Sequence, residues 1–216
     1  MKVTILEILA GRKGPFRGPD ELSAIAKSPV TGPVTVGRLG LDGDEQADLS
    51  VHGGPDKAIH HYPFDHYGWW RNEIGGHALL GEPGGFGENI STKTMTEEKV
   101  CIGDRYRMGS AIVEISQGRQ PCWKLDHRFG GLRINAKVVG SRRTGWYYRV
   151  IEEGRIDVGD TIDLLDRPYP DWDVRRVFGL LVAGDAKRDP GSLRGLQEVR
   201  ALSEAWKSRL AALLGK

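Results

Sequence analysis

The sequence predicts a mainly β fold, a barrel or a sandwich, followed by a small module of three helices. The prediction starts from the 30 glycines among 216 residues, most of which separate short runs of Val, Ile, Leu and Thr. Many short strands divided by turns are typical of barrels and sandwiches. After Leu165 the composition changes, and apolar residues then repeat at the spacing of a helix face. The chain is therefore expected to have a β part first and a helical part last.

Seven short runs are predicted to be strands, because the β-branched, aromatic and aliphatic residues in each run are bounded by Gly, Asp or Pro. They cover residues 3–9, 34–41, 100–102, 106–108, 111–116, 146–151 and 161–165. Gly103 and Gly159 stand in two similar turns, Ile-Gly-Asp and Val-Gly-Asp, and each turn opens into a following strand. This likeness indicates two related hairpins.

The helical part follows a Pro-rich joint at residues 167–172, which cannot continue a central strand. Asp173 is a suitable N-cap for the first helix, and Gly184 is a suitable C-cap. The second helix is predicted over residues 190–200, and Ser203 caps the third. The predicted apolar faces consist of Val174, Val177, Phe178, Leu181, Leu193, Leu196, Val199, Trp206, Leu210 and Leu213.

These boundaries predict two domains, a β-barrel domain at residues 1–167 and a three-helix module at residues 168–216. A bundle of fewer than about 50 residues has a thin hydrophobic core. We therefore expect the module to rest either on the strand domain or on a second copy of the chain. Packing on a second copy would make the protein a homodimer.

The overall charge argues against some classes of partner. Lys and Arg number 31 and Asp and Glu number 29, so the net charge of +2 gives no electrostatic case for binding nucleic acid or an anionic membrane. No apolar stretch approaches the roughly 20 residues of a membrane span, and the chain start lacks a signal-peptide pattern. Two cysteines do not form a disulfide framework. A cytoplasmic location is expected.

Cys122 is the residue most informative about function. It follows a strand-like run and lies between two cations, Arg119 and Lys124. Nearby positive charge lowers the pKa of a thiol and favours the thiolate, which is both a nucleophile and a metal ligand. The alternative for Cys122 is a buried apolar cysteine, and this is the preferred interpretation for Cys101, which stands between Val100 and Ile102.

The histidines and glycine-rich loops give weaker signals. His52 precedes two glycines, which indicates either an exposed turn or a backbone that approaches a ligand closely. His60 and His61 are adjacent and would point to opposite faces of a strand, so at most one is expected to be functional. No zinc-ligand spacing is present. The Gly-rich loop at residues 84–89 matches neither nucleotide-binding pattern, which argues against nucleotide folds.

A series of motifs runs along the strand-rich part of the chain. They are Ser23-Ala24-Ile25 with Lys27, and residues 40–48, 51–58, 62–63, 86–89, 119–125 and 145–147. Together they resemble the MOSC domain family, and within it the stand-alone subgroup called YiiM-like. The resemblance covers almost the whole chain, since the helical stretch also looks like the extra module of that subgroup. One departure is Gly118, where a proline is expected, and this could loosen the aim of Arg119.

The resemblance implies a β-barrel that binds molybdenum cofactor, a molybdopterin whose dithiolene holds an oxo-molybdenum centre. Cys122 would be the protein ligand of the metal, and a soft thiolate suits a metal that is already bound by sulfur. The catalytic candidates are Cys122, His60 and His61. Pyridoxal phosphate is not expected to bind. The implied cofactor-binding residues are Lys27, His52, Gly53, Lys57, Glu88, Asn89, Arg119, Lys124 and Tyr147.

For function, the resemblance implies a molybdenum-cofactor reductase of N-hydroxylated compounds, for example of 6-hydroxylaminopurine to adenine. A histidine, His60 or His61, would relay protons. No haem, flavin or iron-sulfur signature is visible, so electrons would come from a separate flavoprotein reductase. Two alternatives stay open: a sulfur carrier that uses a persulfide on Cys122, and a non-catalytic protein that only binds the cofactor.

Overall fold

The computed structural model describes residues 2–18, 21–47 and 53–215. Its larger strands are β1 Lys2–Ala10, β9 Arg105–Met108, β10 Ala111–Gly118, β11 Trp146–Glu152 and β13 Thr161–Asp166. The shorter strands are β2 Gly14–Pro15, β3 Leu22–Ser23, β4 Ser28–Pro29, β5 Val34–Gly37, β6 Gly40–Leu41, β7 Ile59–His61, β8 Ile90–Thr92 and β12 Gly154–Ile156. The helices are α1 Asp65–Ile74, α2 Trp123–Arg128, α3 Ile134–Ser141, α4 Val174–Leu181, α5 Pro190–Leu196 and α6 Glu204–Leu213, with short 3-10 turns at Pro55–Lys57, Ala78–Leu80 and Asp185–Lys187.

Within the described residues, seven strands close into a barrel in the order β13-β9-β10-β11-β7-β8-β1, and β1 pairs with β13 to complete the circle. The closing pairs include Val3 with Ile162, and Ile162 also pairs with Met108 of β9. Burial alternates along β1 and β9, as expected for strands with one face toward the core. The β7–β8 pair is parallel, whereas the other barrel pairs are antiparallel. The predicted mainly β barrel is confirmed.

Of the seven predicted strands, one is divided into two and another is wrong. Residues 34–41 form two strands, β5 and β6, that pair through Val36 and Leu41 as a hairpin. Residues 100–102 contribute only an isolated bridge between Cys101 and Asp173. The physical reason is local, because Gly103 adopts φ +83° and the Asp104 carboxylate accepts the backbone N–H of Cys101 at 2.9 Å, which turns the chain.

The two Gly-Asp turns are present, but they do not close related hairpins. Gly103 leads into β9 and Gly159 leads into β13, as predicted. However, β9 pairs with β10 and β13, and β12, which precedes the Gly159 turn, pairs with β5. The two turns instead feed neighbouring antiparallel strands of the barrel.

The three predicted C-terminal helices are present. Asp173 caps α4 by accepting the N–H of Arg176 at 2.8 Å, and Ser203 caps α6 by accepting the N–H of Trp206 at 3.2 Å. The second helix is shorter than predicted and ends at Leu196. Buried side chains of these helices belong to the same apolar cluster as those of the barrel. The division into domains at residue 167 stays a prediction, as does the homodimer.

Helices α1 to α3 were not predicted from the sequence. Helix α1 mixes charged residues with Gly68 and two tryptophans, so its apolar residues show no clear helical spacing. Helices α2 and α3 have only 6 and 8 residues. None of the helices in the described part of the chain has the length and apolar character needed to cross a bilayer.

Candidate functional site

A pocket lies at one end of the barrel, where β10 ends and β11 begins. The register places Gly118 opposite Trp146, Trp146 opposite His61, and His61 beside Ile90, so four strands meet at this end. Nine residues predicted from the sequence line the pocket together: Lys27, Gly53, Lys57, His60, Asn89, Arg119, Cys122, Lys124 and Tyr147. His52 lies outside the described residues.

Cys122 stands at the rim between β10 and α2. It is half-buried and occupies the N-cap position of α2 with an extended backbone, φ −121° and ψ 162°. The sequence predicted it at the end of a strand, whereas residues 119–121 separate it from β10. Its neighbour Trp123 is 44% exposed. The thiol therefore belongs to the pocket and is not enclosed in the apolar core.

The charges of the pocket favour an anionic ligand. Among its described lining residues, four are cations, whereas Asp44 and Glu45 are the acids. One of the cations, Lys27, is ion-paired with Asp44, with their side chains 8% and 1% exposed. Burial lowers the pKa of Lys27, and Asp44 opposes that effect. Another cation, Lys124, donates to the Leu22 carbonyl at 2.9 Å.

Arg119 is a nearly buried cation of the pocket wall, with 7% of its surface exposed. Its side chain hydrogen-bonds the Tyr147 hydroxyl. Its backbone N–H donates to the Gly145 carbonyl at 3.1 Å, and its carbonyl accepts a hydrogen bond from the Thr144 hydroxyl. A guanidinium held in this way is suited to bidentate contact with an oxyanion.

Gly145 in turn is fixed by a buried hydrogen-bonded pair, Glu97 and His66. Its N–H donates to Glu97 at 2.7 Å, and the other carboxylate oxygen of Glu97 accepts from His66 at 2.7 Å. Burial raises the pKa of Glu97, but the hydrogen bonds from His66 and from Gly145 together hold it below its usual value. Gly145 has φ +65°, and a Cβ there would lie 2.4 Å from the His61 carbonyl, so only glycine fits.

Gly118 has a packing role that the sequence did not predict. A Cβ at this position would lie 3.1 Å from Trp206, 3.3 Å from Val174 and 3.4 Å from Phe178. The glycine therefore lets α4 and α6 approach β10 closely. Because Gly118 is paired with Trp146 inside the sheet, the backbone that leads into Arg119 is fixed without a proline.

The two adjacent histidines have different surroundings. His60 lines the pocket, and its Nδ1 lies 3.2 Å from the Gly87 carbonyl. His61 is fully buried and bonds the Tyr148 hydroxyl at 3.0 Å and the Thr92 hydroxyl at 2.9 Å. Burial lowers the pKa of His61 to about 3. The structure thus does not bring His61 to the pocket, because consecutive strand residues face opposite sides.

Glu88 lies behind the pocket wall and organises the Gly-rich loop. Its carboxylate accepts the N–H groups of Gly84 at 2.8 Å and Phe86 at 3.0 Å, and also the Tyr67 hydroxyl. Burial raises its pKa, and these hydrogen bonds oppose that effect. Glu88 was predicted to bind the cofactor, but it is not among the residues that line the pocket. Its position instead fixes the loop before Asn89.

Asp44 is a site residue that the sequence analysis did not single out. Besides Lys27, it accepts hydrogen bonds from the Gly11 N–H at 2.8 Å and from the Asn89 amide at 2.9 Å. The Asn89 oxygen accepts the His60 N–H at 3.0 Å. Asp44 thereby connects a cation of the pocket with its histidine. The only signal in the sequence was its place in the Gly-rich motif at residues 40–48.

Comparison with known proteins agrees with this architecture. The sequence model of the MOSC domain family matches residues 48–163. Protein YiiM of Escherichia coli (strain K12) is 38% identical over 184 residues, which cover 85% of this chain and 81% of YiiM. The uncharacterized protein YflK of Bacillus subtilis (strain 168) is 41% identical over 189 residues, which cover 86% and 82%.

A longer relative carries the name "Reductase". This protein of Gibberella moniliformis (strain M3125 / FGSC 7600) is 44% identical over 176 residues, which cover 80% of this chain and 31% of the fungal protein. The chain thus spans about a third of that relative's length.

Solved structures show the same fold. The crystal structure of YiiM from Geobacillus stearothermophilus superposes with a TM-score of 0.81 at 29% identity and covers 98% of this chain and 99% of its own. The crystal structure of YiiM from Escherichia coli gives a TM-score of 0.81 at 30% identity, over 100% of this chain and 94% of its own. The chain therefore belongs to the MOSC domain family, as a YiiM-like member.

Proposed function

We propose that this chain is an oxidoreductase that binds molybdenum cofactor in the barrel-end pocket and reduces N-hydroxylated compounds. The observation that carries the proposal is the pocket itself, in which a half-buried cysteine stands beside Arg119 and further lysines. Membership of the MOSC family, which is associated with this cofactor, and the name of the fungal relative support an oxidoreductase. The choice of N-hydroxylated substrates rests on the resemblance to the YiiM-like subgroup.

The donor groups of the pocket fit the proposed cofactor. Within the described residues, no three His, Cys, Asp or Glu side chains are grouped as a metal site. A metal here would bring most of its own ligands, as a metal on a dithiolene does, and would take a soft thiolate from Cys122. Arg119 and Lys57 line the same pocket and suit an anionic group such as a phosphate.

In this mechanism the cofactor, when bound, would supply the two electrons and the solvent would supply the two protons that convert the N-hydroxyl compound into an amine and water, with cleavage of the N–O bond. The residues of the chain would bind, orient and shield the reactants. Cys122 would hold the metal, Arg119 would bind an anionic part of the cofactor, and the Asp44–Asn89 pair would fix the pocket wall. Electrons would reach the site from a separate flavoprotein reductase. The product amine and water would leave through the open side of the pocket.

The test is expression of the wild type and Cys122→Ser in a host that makes the cofactor, with Cys101→Ser as the matched control. We expect close to stoichiometric molybdenum in the wild type and in Cys101→Ser, and loss of metal from Cys122→Ser. With an artificial electron donor, the first two should convert 6-hydroxylaminopurine to adenine. Metal in the wild type without turnover would favour a non-catalytic cofactor-binding protein.

A sulfur carrier is the second candidate, because the half-buried Cys122 is accessible to an incoming sulfur donor. This function needs a persulfide on Cys122 and no resident metal. Mass spectrometry of the purified chain distinguishes the sulfur carrier from the reductase. A labile additional sulfur on Cys122 in a metal-free protein would replace the reductase proposal with sulfur transfer.

A further inference from the structure

The ring of His60 is fixed in the pocket wall by neighbours that are themselves fixed. The backbone N–H of His60 donates to the Asn89 side-chain oxygen at 3.0 Å. The Asn89 amide donates in turn to the Leu9 carbonyl at 3.1 Å and to Asp44 at 2.9 Å. His60 Nδ1 lies 3.2 Å from the Gly87 carbonyl. The orientation of the imidazole is therefore set before any ligand binds.

This arrangement determines which ring nitrogen carries the proton. A carbonyl oxygen only accepts, so the contact with Gly87 requires a hydrogen on Nδ1. A neutral imidazole has one N–H, and Nε2 is then left with an unprotonated lone pair. Burial, together with the positive charge of Arg119 and Lys27, lowers the pKa of His60 well below its usual value, which supports the neutral ring.

The unprotonated nitrogen is buried and has no hydrogen-bond partner among the described residues. The ring lies beside Tyr147, with centroids 5.1 Å apart, and both residues line the pocket. Gly145 packs closely against the ring on this side, since a Cβ there would lie 3.1 Å from Nε2. Buried acceptors in native proteins normally have a donor. The expected donor here is a bound ligand.

We propose that His60 Nε2 is a specificity-determining acceptor that takes a hydrogen bond from an N–H or O–H group of the ligand in this pocket. This inference rests on the proposed function and assigns His60 a different part in it. The residue selects ligands that carry a donor and does not deliver a proton. Both the pterin and an N-hydroxylated substrate offer such donors, and the experiment separates these two sources.

The first measurement is nitrogen-15 NMR of the purified wild type with labelled histidine. The chain has 6 histidines, and the signals of His60 are identified by their loss in His60→Gln. We expect the tautomer with hydrogen on Nδ1, and a shift of the Nε2 resonance when 6-hydroxylaminopurine or the cofactor occupies the pocket. A hydrogen on Nε2, or an Nε2 resonance that neither ligand moves, would overturn the inference.

The second measurement compares His60→Phe, which removes the acceptor but keeps a flat ring, with His60→Gln, whose amide oxygen can restore it. His127→Phe, at a position outside the pocket lining, is the matched control. If the donor belongs to the substrate, His60→Phe should raise KM roughly 10- to 100-fold with unchanged molybdenum content. If the donor belongs to the cofactor, molybdenum content should fall by a similar factor. His60→Gln should recover part of either loss.

Failure of the inference differs from failure of the proposed function. A wild type that contains molybdenum and turns over, with His60→Phe equal to it in KM and in metal content, rejects the role of His60 alone. A wild type with neither metal nor turnover rejects the reductase. In that case the tautomer and the shift on adding 6-hydroxylaminopurine still decide whether Nε2 is an acceptor, and thermal unfolding of the variants checks that each one folds.

Discussion

The two cysteines of this chain lie in opposite chemical environments. Cys101 is 3% exposed at the junction of the barrel with α4, where its Sγ donates to the Pro170 carbonyl at 3.5 Å. Burial and the nearby Asp104 raise its pKa to about 11. Cys122 is half-buried in a pocket lined by cations. The difference teaches that the charge and burial around a thiol, and not the residue type, decide its chemistry.

The largest expected difference between the two cysteines is in thiol reactivity. At pH 8 a thiol of pKa about 11 is almost fully protonated, whereas an ordinary cysteine thiol is ionised to roughly a quarter, so we expect iodoacetamide to modify Cys122 at least about 100-fold faster than Cys101. The rate at Cys101 should rise about tenfold per pH unit until about pH 11. Peptide mass spectrometry over time gives both rates. Equal rates at pH 8 would remove the contrast.

The next test concerns the buried carboxylate beside Cys101. Asp104 accepts from the N–H of Cys101, from the Tyr106 hydroxyl at 2.8 Å and from Arg167 at 2.6 and 2.8 Å. Asp104→Asn should lower the free energy of unfolding by about 3 kcal/mol, because Arg167 loses its partner and a buried polar network is broken. Denaturant unfolding measures this. Molybdenum content of the folded variant should stay at the wild-type level.

The matched test in the pocket is Asp44→Asn, which leaves the buried Lys27 without its ion-pair partner. We expect a loss of about 2 kcal/mol in unfolding free energy. In contrast to Asp104→Asn, this variant should also retain less molybdenum, because Asp44 fixes Asn89 in the pocket wall. A variant that is destabilised but keeps its metal content would show that the pocket tolerates loss of this network.

The smallest expected effect is that of replacing Glu97, which is connected to the pocket wall through its hydrogen bond with Gly145. Its folded pKa is lowered, so its contribution to stability is complete above its unfolded pKa of about 4.3 and is lost as the pH falls through the folded value. Glu97→Gln should cost about 1 kcal/mol at pH 7 and flatten the loss of stability between about pH 5 and 3. Thermal unfolding across this range tests the sign.

Much of the barrel could be predicted from the sequence, because its long strands carry their own pattern. Strands β1, β9, β10, β11 and β13 all follow from apolar runs bounded by turns. The three C-terminal helices follow from caps and from helical spacing. Helix α1 and the very short strands do not, since packing against distant segments stabilises them more than local preference does.

The members of the pocket could be predicted, but their connections could not. Lys27, Asn89 and the pair Arg119 and Cys122 come from three separate segments, and their meeting depends on the strand register. The Glu97–Gly145 bond spans 48 positions and the Asn89–Asp44 bond spans 45, so no local pattern signals either. The sequence also left His60 and His61 equivalent, and only the register assigns one to the pocket and the other to the core.

Gly118 connects the C-terminal helices with the pocket. On one side it touches Trp206, Val174 and Phe178, and on the other it is bonded covalently to Arg119. A bulkier side chain at one of these contacts in the C-terminal helices would press on strand β10, which positions the guanidinium of Arg119. The C-terminal helices and the segment around Arg119 are therefore expected to change together during evolution. The C-terminal helices of one relative would then not fit onto the barrel of another without further changes.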